Sequence, residues 1–437
     1  MIAELYDEQA ERAVLGAIVV RNAAIDDVAD VLEAEHFWRQ HHQSIFRAMV
    51  QLHGQGQPID AITLCGQLDK SGALEAVGKP YIYGLGDGVG RSVNVAAYAE
   101  VVKDKSTLRA LRDLGRRVHA AAEADVAIAS DLLEQAEQDI YRISQTAVKT
   151  DWSSAPEMAA EIYPLIEQLT KTGEAITGRS TGLPHLDSIT RGLQPGDLIL
   201  VGARPGMGKT AIAMQIALTV AANGPVAVMS LEMARVPLAL RGVISLAQVN
   251  GWQLMSGRAS DVDLQRMGDG IARFASTGLF VDESPVVSPI QARSKLRRLQ
   301  ARTGPLALVV IDYLQLMAPL PDDRRENRAN QVAGISRALK IMAREFSVPF
   351  LVLSQLSRAF EKSRDKRPSM SDLRESGALE QDADVVLLLH RPEVYEKKPE
   401  NAGLAELIVG KQRNGPTGSI DLTWHGPQMR FEHRGRA

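Results

Sequence analysis

The stretch DLILVGARPGMGKTAIAMQIAL sets a glycine-rich loop between a short apolar run and a helical one, and few architectures accept that order. Residues 203–210 follow the phosphate-binding loop pattern, with Ala203 where the first glycine usually stands and then Arg204, Pro205, Gly206, Met207, Gly208, Lys209 and Thr210. A strand that ends in such a loop and restarts as a helix aims backbone N–H groups at one point. Phosphate oxygens can be held there while Lys209 supplies charge. Thr210 offers a hydroxyl to magnesium. Without those flanks the same letters make an ordinary glycine-rich turn; with them, the segment reads as a site for a nucleoside triphosphate with Mg2+.

The surroundings agree with that reading. From about residue 179 the chain alternates apolar runs (DLILVGA, PVAVMSL, GLFVD, LALVVID, PFLVLSQ, ADVVLLLH, AELIVGK) with helical stretches. This pattern predicts an α/β domain around a mostly parallel sheet buried on both faces. SIDLTWHG and QMRFEH read as an antiparallel pair closing one edge. A magnesium-bound triphosphate also needs a carboxylate at a nearby strand end, and Asp312, which ends LALVVID, meets that need. Residue 313 is tyrosine, so no acid follows directly. Glu232, just past the second run, is the candidate for activating water, and Gln355, ending the fifth, for sensing the γ-phosphate. Each of these two is equally consistent with a plain surface residue.

The first 150 or so residues are expected to form a separate all-α domain. In EQAERAVLGAIVV, Ala10, Ala13, Val14, Ala17 and Ile18 share a helical face, and LRALRDLGRRVHAAAE repeats the spacing through Leu108, Leu111 and Val118. His36, His41 and His42 lie close together, yet without cysteine or a spaced carboxylate set they read as helix positions and not metal ligands. Residues 151–178 form a linker whose single helix, PEMAAEIYPLIEQLTK, presents Met158, Ile162, Leu165, Ile166 and Leu169 with little of its own to pack against. It is expected to dock on a neighbouring subunit.

Composition narrows the function classes. A formal charge of -3 excludes a globally basic protein, so any nucleic-acid surface must be local. One cysteine, Cys65, excludes an intramolecular disulfide and a thiolate metal cage. No signal-like leader or membrane span is indicated, so a cytoplasmic protein with no membrane partner is expected. Near the end, GKQRNGPTG places Lys411 and Arg413 beside an Asn-Gly turn. By itself that turn predicts a hairpin tip with solvated cations.

Taken in order, GARPGMGKTA, SLEM, VVIDYLQLM, LSQLSR, SDLRESGALEQDAD and KQRNGPTG resemble the consecutive motifs of the bacterial replicative DNA helicases, the DnaB family, over residues 179–432. The resemblance implies a RecA-like P-loop ATPase domain (179–437) preceded by an N-terminal collar (1–150) and the linker. It implies a homohexameric ring that moves 5′ to 3′ on single-stranded DNA and opens forked DNA, with a primase and a helicase loader as partners. It assigns Lys209 and Thr210 to phosphate and magnesium, Asp312 to the metal, Glu232 to the attacking water and Gln355 to coupling. Lys411 and Arg413 become the pair that reaches the γ-phosphate of the adjacent subunit, which replaces the hairpin-tip reading.

DNA is then expected on two basic connections that leave the fourth and fifth strands. The first holds Arg324, Arg325 and Arg328; the second holds Arg358, Lys362, Arg364, Lys366, Arg367 and Arg374. Such cations grip phosphates without reading bases. By resemblance Arg374, Glu375 and Gly377 mark the loop that tracks the strand. RSKLRRLQAR, residues 293–302, is read as an exposed helix face. Two competing functions share this core: a strand-exchange ATPase, and an assembly protein that binds ATP without turnover.

Overall fold

Asp7 accepts the Ala10 N–H at 2.9 Å and so starts the first helix, α1 (Glu8–Val20). The structure, a computed structural model, describes residues 5–87, 94–123, 128–145, 154–156, 158–160, 162–163, 166, 177–320, 323, 325–357, 367–373 and 377–434. The chain divides into two units, Met1–Ser154 and Ala155–Ala437.

In the first unit α1 is followed by α2 (Gln40–Gly54), α3 (Ala61–Lys70), α4 (Val95–Ala122) and α5 (Ala129–Gln145), with two short helical turns at Leu74–Val77 and Lys79–Tyr83. Val14, Leu15 and Ile18 are buried against Ile45, Phe46 and Met49. Each such side chain stabilises the fold by about 1.5–3 kcal/mol. The α4 expectation needs correction: its buried positions are Val95, Ala99, Val102, Arg109 and Leu114, whereas Leu108 and Leu111 are 47% and 44% exposed. At 3.6 residues per turn Val95, Ala99, Val102 and Arg109 share the face that is buried, and Leu108 and Leu111 fall on the other side of the helix. His42 is fully buried, hydrogen-bonded through Nδ1 to Glu11 at 2.6 Å and through Nε2 to the Tyr81 hydroxyl at 2.5 Å. The carboxylate that local sequence lacked comes from α1. Among the described residues no group of three or more His, Cys, Asp or Glu side chains gathers as a metal cage would need.

The second unit is built on strands β1 (Leu198–Ala203), β2 (Val226–Ser230), β3 (Leu279–Asp282), β4 (Leu308–Asp312), β5 (Phe350–Gln355), β6 (Val385–His390), β7 (Leu404–Gln412), β8 (Gly418–His425) and β9 (Arg430–His433). They form one sheet in the order β3-β2-β4-β5-β1-β6-β7-β8-β9, parallel from β3 to β6. Strand side chains alternate between faces. Thus Ile199 and Val201 join the core beneath helix α7 (Lys209–Ala221), while Leu198 and Leu200 join the opposite one. Here α6 is Pro184–Thr190, and after α7 come α8 (Arg235–Ala247), α9 (Gly251–Met255), α10 (Asp261–Ala275), α11 (Pro289–Thr303), α12 (Arg328–Phe346) and α13 (Gly377–Asp382).

Three elements depart from the simple pattern. β7 runs antiparallel to β6, because the connection 391–403 holds only short 3-10 turns and no crossover helix. β3, at the edge, is only half-buried. The basic run on α11 is not simply an exposed face: Arg293 and Arg297 both pair with Glu345 on α12, and Lys295 pairs with Asp282 at 2.5 Å. Those acids come from distant sequence, so the local charge pattern could not reveal them. No helix among the described residues is long and apolar enough to cross a membrane.

Candidate active site

Parallel strands end together, and the ends of β1, β2, β4 and β5 surround a cavity of about 560 Å³. Its floor is the loop from Ala203 to Thr210. Gly206 and Gly208 adopt φ of 80° and 98°, which side-chain-bearing residues avoid. At Gly208 a Cβ would also meet the Phe431 ring at 2.8 Å. Gly208 caps α7, so the first N–H groups of that helix, the feature that favours phosphate, face the cavity region. Met207 is buried, and Arg204 donates from Nη1 to the Leu356 carbonyl at 3.1 Å, so neither is simply a loop ornament. Pro205 joins Arg204 in the cavity wall.

Lys209 lies 3.6 Å from Asp312 and 4.3 Å from the centre of the Tyr313 ring. Burial pushes its pKa down, opposed by the negative charges of Asp312 and Glu232. A cation held in that way gains from an incoming anion. Thr210 Oγ1 donates to Asp312 Oδ2 at 2.7 Å, and Asp312 is 3% exposed with its Oδ1 lacking any hydrogen-bond partner. A hydroxyl and a carboxylate oxygen with unused capacity form the hard oxygen set that suits Mg2+ bound mainly through phosphate. These residues therefore fit the ion. Glu232 lies exposed at the cavity wall, on a turn fixed by the Leu231 N–H to the Asp312 carbonyl at 2.7 Å. Gln355, paired with Ala203 across β5 and β1, also lines the cavity, and its N–H donates to Gln315 Oε1 at 3.3 Å.

Lys411 and Arg413 are elsewhere. Lys411 Nζ donates to the Glu380 and Gln381 carbonyls at 2.5 and 3.2 Å, and Arg413 reaches Asp384 at 3.4 Å. Gln412 pairs with Val385, and Val385 with Ile199, so both cations sit where β1 begins, not where it ends. Measured along the strand at 3.3 Å per residue, the register puts Arg413 about 17 Å and Lys411 about 10 Å short of the end of β1, and both lie two strands to its side. A single chain does not bring them to its own cavity.

Of the residues expected to meet DNA, Arg324, Arg364, Arg374 and Glu375 lie outside the described residues, as do Arg358, Lys362 and Lys366. Arg325 is exposed. Arg328 is engaged, donating to the Gln315 carbonyl at 2.6 Å and to Gln331 at 3.0 Å. Arg367 pairs with Glu406, and Gly377 opens α13 with no atom within 4 Å of a Cβ built on it. A bridge between Leu356 and Leu373 closes the base of the second connection.

Sequence reading missed Arg241, Tyr313 and Trp424, which also line the cavity. Tyr313 could have been found from its place beside Asp312. Trp424 and Arg241 come from β8 and α8, and no local signal marks them.

Known proteins match this arrangement over nearly the whole chain. Residues 178–433 match the DnaB-like helicase C terminal domain, and residues 3–104 the DnaB-like helicase N terminal domain. Replicative DNA helicase DnaB of Geobacillus stearothermophilus is 38% identical over 433 residues, 97% of this chain and 95% of that protein. Replicative DNA helicase DnaC of Bacillus subtilis is 38% identical over 95% of this chain and 92% of its own length. A solved DnaB-like replicative helicase, described with its interactions with primase, aligns at TM-score 0.76 and 29% identity over 97% of this chain and 99% of that one. The loop, the buried carboxylate and the helical N-terminal unit thus have one source: the chain belongs to the DnaB-like replicative DNA helicases, ATP-dependent enzymes whose RecA-like ATPase domain follows an all-α N-terminal domain in sequence.

Proposed function

We propose that this helicase works as a homohexameric ring in the cytoplasm, moving 5′ to 3′ on single-stranded DNA and separating duplex at a fork. One observation carries the ring: the two cations suited to a γ-phosphate lie at the opposite edge of the sheet from the chain's own phosphate loop. A second copy must then bring Arg413 and Lys411 to that loop. A cation offered in trans stabilises charge that develops in the transition state and makes hydrolysis depend on assembly.

Within the cavity, Lys209 and the N–H groups of Gly208 to Thr210 hold the triphosphate, and Thr210 and Asp312 hold Mg2+, which neutralises phosphate charge when bound. Glu232 orients and deprotonates the attacking water. Gln355, at a strand end between the cavity and the second basic connection, relays nucleotide state towards DNA. Domain limits of 1–150, 151–178 and 179–437 accompany this reading. The linker helix, whose Met158, Ile162 and Ile166 are 47–53% exposed, docks on a neighbouring ATPase domain. Val236, Trp252, Met255 and Val262 on helices α8 to α10, each at least 58% exposed, are the apolar side chains offered to it. The primase described with the related structure supports a similar partner on the N-terminal unit, and a closed ring calls for a loader.

DNA contacts run through Arg324, Arg325, Arg328, Arg364, Arg374, Glu375 and Gly377. Arg374→Ala is expected to weaken binding equally for all sequences and to reduce the salt slope by about one. Titration of two unrelated oligonucleotides at several salt concentrations checks this, and a loss confined to one sequence contradicts it. The whole reading is tested by unwinding of forks with a 5′ or a 3′ tail, alongside particle images with ATP and an oligonucleotide. DNA-stimulated hydrolysis without unwinding of the 5′-tailed fork would favour strand exchange, and absence of turnover would favour an assembly role.

A further inference from the structure

Arg391 directly follows β6 and is 9% exposed, yet it does not line the nucleotide cavity. Its Nη1 donates to the Gly206 carbonyl in the phosphate loop at 3.1 Å. Its Nη2 pairs with Glu393, whose other oxygen accepts the Gly403 N–H at 2.8 Å. The guanidinium carbon lies 4.8 Å from the centre of the Trp424 ring, and the Trp424 backbone N–H donates to the Gly403 carbonyl at 2.7 Å. Arg391 is therefore clamped on three sides, by a carboxylate, an aromatic face and the loop it touches.

Met207 is anchored in the core, but at Gly206 itself no packing contact fixes the loop. Gly206 has a positive φ, and no heavy atom stands within 4 Å of the place a Cβ would take. The Gly206 end of the Gly206–Met207 peptide is thus oriented by polar contacts. On its N–H side lies a long 3.3 Å bond from Met207 to the Arg204 carbonyl, and on its C=O side the charge-assisted bond from Arg391. The second is the stronger.

We propose that Arg391 is a positioning residue for ATP binding, fixing the Gly206–Met207 peptide in the orientation the phosphates require. This rests on the reading of the loop as the nucleotide site. Arg391 touches no substrate; it acts through the backbone of the loop, and Glu393 and Trp424 keep it aimed.

The test uses the full chain with Arg391→Ala, Arg391→Gln and Arg391→Lys, measuring affinity for a fluorescent ATP analogue with magnesium, KM and kcat of hydrolysis, and Tm. Arg391→Ala is expected to raise Kd and KM about tenfold, the loss of one charged hydrogen bond, while kcat stays within about threefold of the unaltered chain. Arg391→Lys recovers most of the affinity, since an ammonium still reaches the carbonyl. Should Arg391→Ala not fold, Arg391→Gln, which keeps a neutral donor, is judged by the same criterion. Folded variants with unchanged Kd and KM overturn the proposal. So does a loss that follows Tm and is not restored by lysine. Failure of the unaltered chain to bind magnesium-ATP would instead sink the nucleotide-site reading, whereas normal binding by that chain and by all the variants sinks only the role of Arg391.

Discussion

The two edges of the parallel sheet carry cations of opposite character. At the edge where the strands end, the Lys209 side chain is 12% exposed beside Asp312 at 4%, and burial presses its pKa down. At the edge where they begin, the Arg413 side chain is 61% exposed, although its partner Asp384 is 4% exposed. One cation is stripped of water and held ready for a ligand inside its own chain. The other keeps its charge in solvent, available to a different molecule. Screening makes a half-exposed pair such as Arg413–Asp384 weak, so the arginine can leave it at little cost.

The sharpest challenge to this contrast is a mixing experiment. Lys209→Ala and Arg413→Ala are each expected to lower ATP hydrolysis about 1,000-fold or more. Lys209→Ala is also expected to abolish nucleotide binding and Arg413→Ala to leave ATP affinity within about threefold, as the proposed action of its cation on a neighbour's transition state requires. Mixed rings of the two variants regain part of the activity, since some interfaces join an intact loop to an intact arginine. Phosphate release that stays at zero in every mixture would show that the two edges do not meet across subunits.

A second, structural effect concerns Asp384, which accepts hydrogen bonds from the Leu198 N–H at 2.9 Å, from Lys340 and from Arg413. Asp384→Asn leaves the largely buried Lys340 ammonium without its counter-charge, and about 3–5 kcal/mol of stability is expected to go with it. Denaturant unfolding of the variant measures this directly. An unchanged midpoint would mean that the start of the sheet does not depend on the acid.

The smallest effect is pH-dependent. Burial, and then the adjacent charge of Asp384, push the Asp197 carboxyl up to about 6. The folded chain therefore holds a proton that the unfolded chain releases, so this residue costs stability increasingly as pH rises from about 4 to 6, and fully above that. Asp197→Asn is expected to raise the melting temperature at pH 8 and to leave it unaltered near pH 4. A gain of equal size at both values would tie the effect to packing instead of charge.

How much of this was legible follows from how local each signal is. The phosphate loop is read from consecutive residues, because positive φ at Gly206 and Gly208 and a helix start at Lys209 are decided within one turn of chain. The strands were legible as Val, Ile and Leu runs for the same reason. What the runs could not disclose was direction: AELIVGK resembles its parallel predecessors, and only the lack of a helix between β6 and β7 reverses it. Arg293 looked like a solvated cation until Glu345 arrived from α12, and His42 like one helix position among many until Glu11 and Tyr81 closed around it.

Consecutive residues alone determined the conformation of the glycine-rich loop, the membership of the sheet and the helical nature of the N-terminal unit, because each depends on backbone conformation and hydrophobic period over a few residues. Three-dimensional packing decided which distant groups share a space. It set Asp312 against Thr210, walled the cavity with Trp424, clamped Gly206 with Arg391 and carried Arg413 to the far edge. Such pairings depend on strand order and register, and no short window of sequence contains either.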